Sequence, residues 1–300
     1  MKILVLGGTR FFGVHLVNTL LLQGHEVAVA TRGNAKPRFI APVEEIRVDR
    51  IREESMRAAF SGREFDVVYD DLAYCSNDVK TALETVRCRR YVMVSSISVY
   101  ELKENTRETD YDPYRETLIW GGRSAFDYGT GKRQAEAALV QAFPEQESVM
   151  VRFPVVLGRD DYTERLRFYA AHTAKGIAMQ VENENCPVSF ISAEECGRFL
   201  AFLADSTLEG PVNAAASGTI TIGEIIRYTE EKTGKKAVLS TEGEEAPYNG
   251  FPGFSINTEK AEGAGYHFSG LDTWIYRLLD FYGEMEGLSG VDFSSLESYN

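Results

Sequence analysis

The chain has 300 residues, 44% hydrophobic and 26% charged, the balance of a globular protein with apolar material for one large domain or two modest ones. Its formal net charge of −13 argues against attraction to nucleic acid or to an anionic membrane surface. No apolar run nears the roughly 20 residues of a bilayer crossing, and the amino terminus runs into a glycine turn instead of a signal sequence. A cytoplasmic protein without membrane association is therefore expected.

The first half alternates strand-like and helix-like stretches at the spacing of β-α-β units. Ile3-Leu4-Val5-Leu6 reads as a strand that empties into Gly7-Gly8-Thr9-Arg10-Phe11-Phe12-Gly13. After it, Val14, Val17, Leu20 and Leu21 share one helical face up to Gly24. Further strands are expected at 26–31, 45–48, 65–70, 90–96 and 148–153, and helices at 52–60, around 77–87 and at 127–143. This alternation predicts a Rossmann-like α/β fold, a doubly wound parallel sheet. The stretch from 101 to about 124 is polar and irregular. Arg87-Cys88-Arg89-Arg90, the densest basic cluster, suits a helix carboxyl end. Beyond 158 the alternation loosens. Helical stretches near 161–174, 193–204, 221–233 and 271–282, with a Gly-, Pro- and Glu-rich loop at 241–253, predict a smaller mixed α/β domain. The last residues, 294–300, read as a loosely held tail. Cys75, Cys88, Cys186 and Cys196 form no C-x-x-C pair and have no histidine cluster beside them, so neither disulfides nor a metal site is expected.

A glycine turn between a strand and a helix can deliver a diphosphate to the N–H groups and positive end of that helix. Gly7 would make the turn, Gly8 would keep the approach open and Gly13 would let helix and strand pack closely. Thr9, Arg10, Phe11 and Phe12 complete the loop, and Arg10 stands where a middle glycine belongs. An ordinary turn is the competing reading. NAD-binding versions place Asp or Glu at the end of the second strand, where this chain has Thr31-Arg32-Gly33. A guanidinium at Arg32 suits the 2′-phosphate of NADP. NADP is therefore the expected cofactor, NAD the alternative, and Arg10 a second charge for the same pocket.

Ser95-Ser96-Ile97-Ser98-Val99-Tyr100 follows the fifth strand, at the carboxyl edge where such sheets bind ligands. Tyr128 and Lys132 are i and i+4 on one helix face. A neighbouring ammonium stabilises a phenolate and brings its proton within reach at neutral pH. Tyr128 is expected as the acid/base, Lys132 as the group that tunes it, and Ser96 as a hydrogen-bond partner of the same substrate oxygen. An isolated Y-x-x-x-K is as well explained by an exposed helix pair; its place after the glycine turn and the Ser-bearing strand end favours chemistry.

In these motifs the chain resembles the short-chain dehydrogenases/reductases, on the NAD(P)-dependent epimerase/dehydratase side, over nearly its whole length and most strongly from 1 to 160. The family's Gly-x-x-Gly-x-x-Gly falls on Gly7, Arg10 and Gly13. The G-G-x-x-x-x-G form resembles an atypical branch whose members are described as reductases, sugar dehydratases or RNA-binding proteins. The resemblance implies catalytic roles for Ser96, Tyr128 and Lys132, with Lys132 also holding the cofactor's ribose. It implies an adenine contact at Asp49, backbone lining of the cofactor at Leu72 and Ala73, and Pro154 at the nicotinamide end. It also implies a cofactor domain over 1–158, to which about 188–204 returns, a mainly substrate-binding domain over 159–300, and a homodimer.

The family pattern is not kept throughout. Sugar dehydratases of the family place Asp-Glu after the active-site Thr or Ser, where this chain has Ile97 and Ser98, so dehydration by that route is disfavoured. Val155 replaces the Asn that reaches the substrate in many nucleotide-sugar members. Arg107, Arg115, Arg123, Arg159 and Arg165 are candidates for an anionic substrate, each with a solvated surface role as its plain alternative. The expected function is an NADP-dependent oxidoreductase or epimerase acting on a sugar derivative, polyol or small carbonyl compound. The alternative is a non-catalytic NADP-binding sensor or an RNA-associated protein.

Overall fold

The computed structural model describes residues 1–287; the tail expected at 294–300 lies outside them. The first half runs β1 (Lys2–Leu6), α1 (Phe12–Leu22), β2 (Glu26–Thr31), β3 (Glu44–Arg47), α2 (Glu53–Phe60), β4 (Glu64–Asp70), α3 (Ser76–Thr85), β5 (Arg87–Ser96), α4 (Tyr128–Ala142) and β6 (Glu147–Phe153). The strands are near-continuous apolar runs because both sheet faces are covered. Leu16, Val17 and Leu20 of α1 pack one face, and Met56, Phe60, Val79 and Leu139 of α2, α3 and α4 pack the other.

The second half continues β7 (Val155–Leu157), α5 (Arg165–Lys175), β8 (Ala178–Gln180), β9 (Pro187–Val188), β10 (Phe190–Ser192), α6 (Ala193–Phe202) and β11 (Gly210–Asn213). It ends with β12 (Ile220–Thr221), α7 (Ile222–Thr233), β13 (Val238–Leu239), β14 (Glu244–Glu245), α8 (Glu259–Gly263) and α9 (Ile275–Gly287). A separate core around Tyr169, Phe190, Ile225, Phe254 and Leu279 holds the smaller lobe together.

The main sheet is parallel, in the order β11-β6-β5-β4-β1-β2-β3. Chain order reverses between β1 and β4, so the turns leaving these two strands open a crevice at the carboxyl edge, the switch point of a doubly wound fold. The seventh strand, β11, was not foreseen. Its four residues include a proline, which an edge strand tolerates, and they pair with β6. Arg90 of the basic cluster is buried. It pairs with Glu147 and donates to the carbonyls of Leu203 and Leu208, just beyond the end of α6.

One buried ion pair ties these layers. Arg152 on β6 and Glu136 on α4 are both fully buried; Nε donates to Oε1 at 3.0 Å and a terminal nitrogen to Oε2 at 2.5 Å. Ser95 on β5 donates to the same carboxylate at 2.5 Å. Arg152 also donates to the Tyr100 hydroxyl at 2.8 Å and the Glu108 carbonyl at 2.9 Å, and Tyr100 in turn donates to Asn213 on β11 at 2.7 Å. Removing one member strands a buried charge, at a cost of roughly 3–5 kcal/mol. Glu136→Ala is expected to lower unfolding stability by about that much in urea titrations. Glu136→Leu combined with Arg152→Met should lose clearly less than the two single changes added together.

Candidate active site

Gly7 and Gly8 take positive φ angles of 110° and 75° and bend the chain out of β1. A Cβ on Gly8 would lie 2.7 Å from Val5 in the core, so this glycine serves the packing beneath the turn and not, as the sequence suggested, an open ligand approach. Gly13 lets α1 press onto the turn: a Cβ there would lie 2.7 Å from the Gly8 Cα. Phe11, at φ 50° and ψ −134°, holds a backbone conformation that costs a non-glycine residue energy, and it leads into α1 with no side-chain cap. Within the turn the Gly13 and Val14 N–H groups donate to the Arg10 and Phe11 carbonyls at 3.1 and 3.0 Å, and the positive end of α1 faces the loop.

Over this turn lies a groove of about 420 Å³. Gly7, Gly8, Thr9, Arg10, Phe11 and Phe12 line its floor, Arg32 and Asn34 its β2 end, and Asp49 and Arg50 its β3 end, while Asp71, Leu72, Tyr74, Arg123 and Tyr162 form the far wall. Arg10 and Arg32 are both exposed there. The volume, the amino end of α1 and the two arginines together fit a dinucleotide. Asp49, Leu72 and the whole loop from Gly7 to Phe12 line this groove. Gly13, Ala73, Lys132 and Pro154 are buried and do not line the groove.

Four contributors were not foreseen. Asp70, at the end of β4, takes two bonds from Arg50 at 2.6 and 2.5 Å and one from Tyr91 at 2.5 Å, and locks the loop after β3 to the sheet. Asp71 lies under the glycine turn and accepts the Gly8 N–H at 3.2 Å. Tyr74 joins the groove to the serine-tyrosine pair: its ring stands 6.2 Å from the Tyr128 ring, 4.7 Å from the Arg123 guanidinium and 4.6 Å from the Lys132 ammonium. Tyr162 packs edge-on against Phe11 at 6.3 Å over the turn. In sequence, the only hint was the pair of carboxylates ending an apolar strand, Asp70-Asp71.

Ser96 and Tyr128 come together as expected. The Ser96 hydroxyl is near enough to the Tyr128 phenol to pull its pKa down, and its Oγ accepts the Ser98 N–H at 3.1 Å and lies 2.9 Å from the Ser98 Oγ. The tuning by Lys132 differs from expectation. Its ammonium, buried at 2% exposure, donates to the carbonyls of Ala73 at 2.8 Å and Val94 at 2.7 Å, and stands 5.8 Å from the Tyr128 ring centre. Burial raises the Tyr128 phenol above its ordinary range, opposed by the Ser96 hydrogen bond and the Arg165 charge. The ring itself is half exposed.

Residues 3–86, from β1 through α3, match the NAD dependent epimerase/dehydratase family model. The UDP-glucose 4-epimerase of Thermotoga maritima, solved with UDP-glucose, superposes with a TM-score of 0.74 at 17% identity, over 97% of this chain and 100% of that one. The chain shares the fold of that epimerase, and its residues 3–86 are similar to the NAD dependent epimerase/dehydratase family. The Thermus thermophilus UDP-glucose 4-epimerase, solved with NAD, superposes at 0.67 with 20% identity, over 94% of this chain and 99% of that one. A curated relative, the chloroplast stem-loop binding protein of 41 kDa b of Arabidopsis thaliana, is 30% identical over an alignment of 129 positions that covers 37% of this chain. The chain spans about a third of that relative's length. No described helix is long and apolar enough to cross a membrane, and no cluster of metal-binding side chains occurs among the described residues.

Of the five arginines considered for an anionic substrate, the fold brings two to the site. Arg123 lines the groove and pairs with Asp78 at 3.0 Å, and the Arg165 charge acts on Tyr128. Arg107 is paired with Glu259 and Arg115 with Asp112, and Arg159 covers the Phe281 ring in a separate groove. Val155 sits half-buried in β7, and Ile97 is buried beside Ser96.

Burial pushes the Lys132 pKa down to about 8. Between that value and its unfolded pKa near 10.4, the unfolded chain binds more protons than the folded one, so this group makes stability rise with pH across that window. Urea midpoints measured from pH 8 to 10 are expected to show this contribution in the native protein and to lack it in Lys132→Met.

Proposed function

We propose that the protein is an NADP-dependent oxidoreductase or epimerase acting on a sugar derivative, polyol or small carbonyl compound, with Tyr128 as its acid/base. The observation that carries this reading is the Ser96 side chain acting on the Tyr128 phenol at the carboxyl edge of the sheet, joined through Tyr74 to a groove that suits a dinucleotide. A bound nicotinamide supplies or accepts hydride. The protein's own part is the proton. With its phenol pushed above the ordinary tyrosine range by burial, Tyr128 holds a proton at neutral pH and is poised to donate it to a carbonyl oxygen that Ser96 also contacts. In the reverse direction it must first lose that proton, and the Ser96 hydrogen bond and the Arg165 charge favour this.

Lys132 positions this arrangement by tying the β4 exit loop to β5 through Ala73 and Val94. The absence of a carboxylate after β2 and the exposed Arg32 on the groove favour the 2′-phosphate of NADP. Neighbours of the same fold were solved with NAD and with UDP-glucose, which favours a nicotinamide dinucleotide and makes nucleotide sugars the first substrates to try. The stem-loop binding relative favours a second, RNA-associated reading. The net charge of −13 and the intact serine-tyrosine pair weigh against it.

Tyr128→Phe is expected to slow hydride transfer by about 10²–10⁴-fold, followed as absorbance at 340 nm, while dinucleotide affinity is kept. Arg32→Ala should weaken NADPH binding at least about tenfold and leave NADH nearly unchanged. An unchanged rate in Tyr128→Phe would remove the proposed mechanism, and equal losses for both dinucleotides would remove the NADP preference.

A further inference from the structure

We propose that Asp71 is a hydrogen-bond donor to the dinucleotide: it carries a proton on Oδ1 in the complex, so that binding takes up one proton from solution. The proposal rests on the groove being the dinucleotide site. Asp71 stands at the switch point, on the groove wall and directly under the phosphate-binding turn. Its Oδ2 accepts the Gly8 N–H at 3.2 Å and would lie 2.9 Å from a Cβ on Gly13, so the carboxyl group is wedged in place. Its Oδ1 is buried and has no partner at all. A buried acceptor without a donor costs free energy. The same atom carrying a proton offers a donor to a ligand rich in acceptor oxygens.

Among the described residues no cation is hydrogen-bonded to Asp71. Arg50 is bound to Asp70, Arg123 to Asp78 and the Leu72 carbonyl, and Lys132 to two carbonyls. His15 on α1 faces Asp160 at 4.0 Å, and Arg10 on the turn is exposed. From the sheet and α6, the titratable neighbours are the Tyr69 and Tyr74 phenols and the Cys196 thiol, none of them a cation. Burial, reinforced by the adjacent Asp70 charge, pushes the Asp71 pKa up to about 7, against the pull of the Gly8 N–H and of Lys132. An ionised carboxylate here would repel an incoming diphosphate, and a neutral one can donate to it. The proton comes from solvent, and no bond other than O–H is made or broken.

The test is calorimetric titration with NADH and with NADPH from pH 6.0 to 8.5, in buffers of differing ionisation enthalpy, on the native protein and on Asp71→Asn. Asparagine keeps an acceptor for Gly8 and presents a permanent N–H donor, and comparison of the two proteins cancels titration of the ligand's own phosphates. Native affinity is expected to fall towards tenfold per pH unit above about 7, with close to one proton taken up. Asp71→Asn should keep the low-pH affinity throughout, without that uptake. The same pH slope in both proteins, or native binding that tightens as pH rises, would overturn the proposal and leave the groove standing. No binding of either dinucleotide by either folded protein at pH 6 would overturn the groove itself, and the proposal with it. Near-ultraviolet circular dichroism establishes that the variant is folded.

Discussion

The buried pair of Arg152 and Glu136 is the constraint on which the site depends. Tyr128, Lys132 and Glu136 are spaced four residues apart and therefore share one face of α4. Holding Glu136 against β6 and the Ser95 hydroxyl sets how that face meets the end of β5. Ser96 follows Ser95 directly. The meeting of Ser96 with Tyr128 is then a consequence of an ion pair one helical turn deeper than Lys132. The same arginine reaches Tyr100 and the Glu108 carbonyl, so the irregular segment after β5 is pinned to the same point. Two charges fully out of water are an expensive way to join helix to sheet. They persist where every remaining lone pair and N–H finds a partner, as it does here through Ser95, Tyr100 and the loop carbonyls.

A second polar cluster does for the groove what this pair does for the serine-tyrosine site. Asp70 draws Arg50, Tyr91 and the Leu72 N–H onto the last residue of β4. The loop after β3, the exit of β4 and β5 are thereby fixed relative to one another. Asp71, the next residue, is left to face the glycine turn across the switch point. Along β4 successive side chains point to opposite faces, and this alternation helps explain why adjacent aspartates end with different partners. Asp70 is satisfied by a guanidinium, while Asp71 has one backbone N–H and an oxygen to spare.

Much of the fold was legible because its signals are local. Buried parallel strands read as apolar runs, and each helix between them carries a stripe of apolar residues, so the ten elements from β1 to β6 fall close to their expected bounds. β11 gave no such signal: four residues, one of them proline, join the sheet only because β6 offers an open edge. The glycine turn and the Tyr128/Lys132 spacing were legible for the same local reason. The partners of Lys132 were not, since Ala73 and Val94 offer backbone carbonyls that no side-chain pattern reveals. Asp70, Asp71 and Arg50 act through contacts between residues tens of positions apart, and a buried carboxylate looks like a solvated one until its surroundings are known. Gly8 shows the converse, a motif residue correctly located whose missing Cβ faces the core instead of the ligand.

The central claim is that the crevice between the turns after β1 and β4 holds a nicotinamide dinucleotide. Amide hydrogen exchange with and without saturating NADPH tests it most directly, because it reports where the ligand sits whether or not a substrate is known. The account predicts slowed exchange at 7–13, 31–35 and 71–74, with the amides around Arg159, Arg198 and Arg277, which line the separate second groove, unaffected. Unchanged exchange at the glycine turn, or protection confined to the second groove, would contradict it.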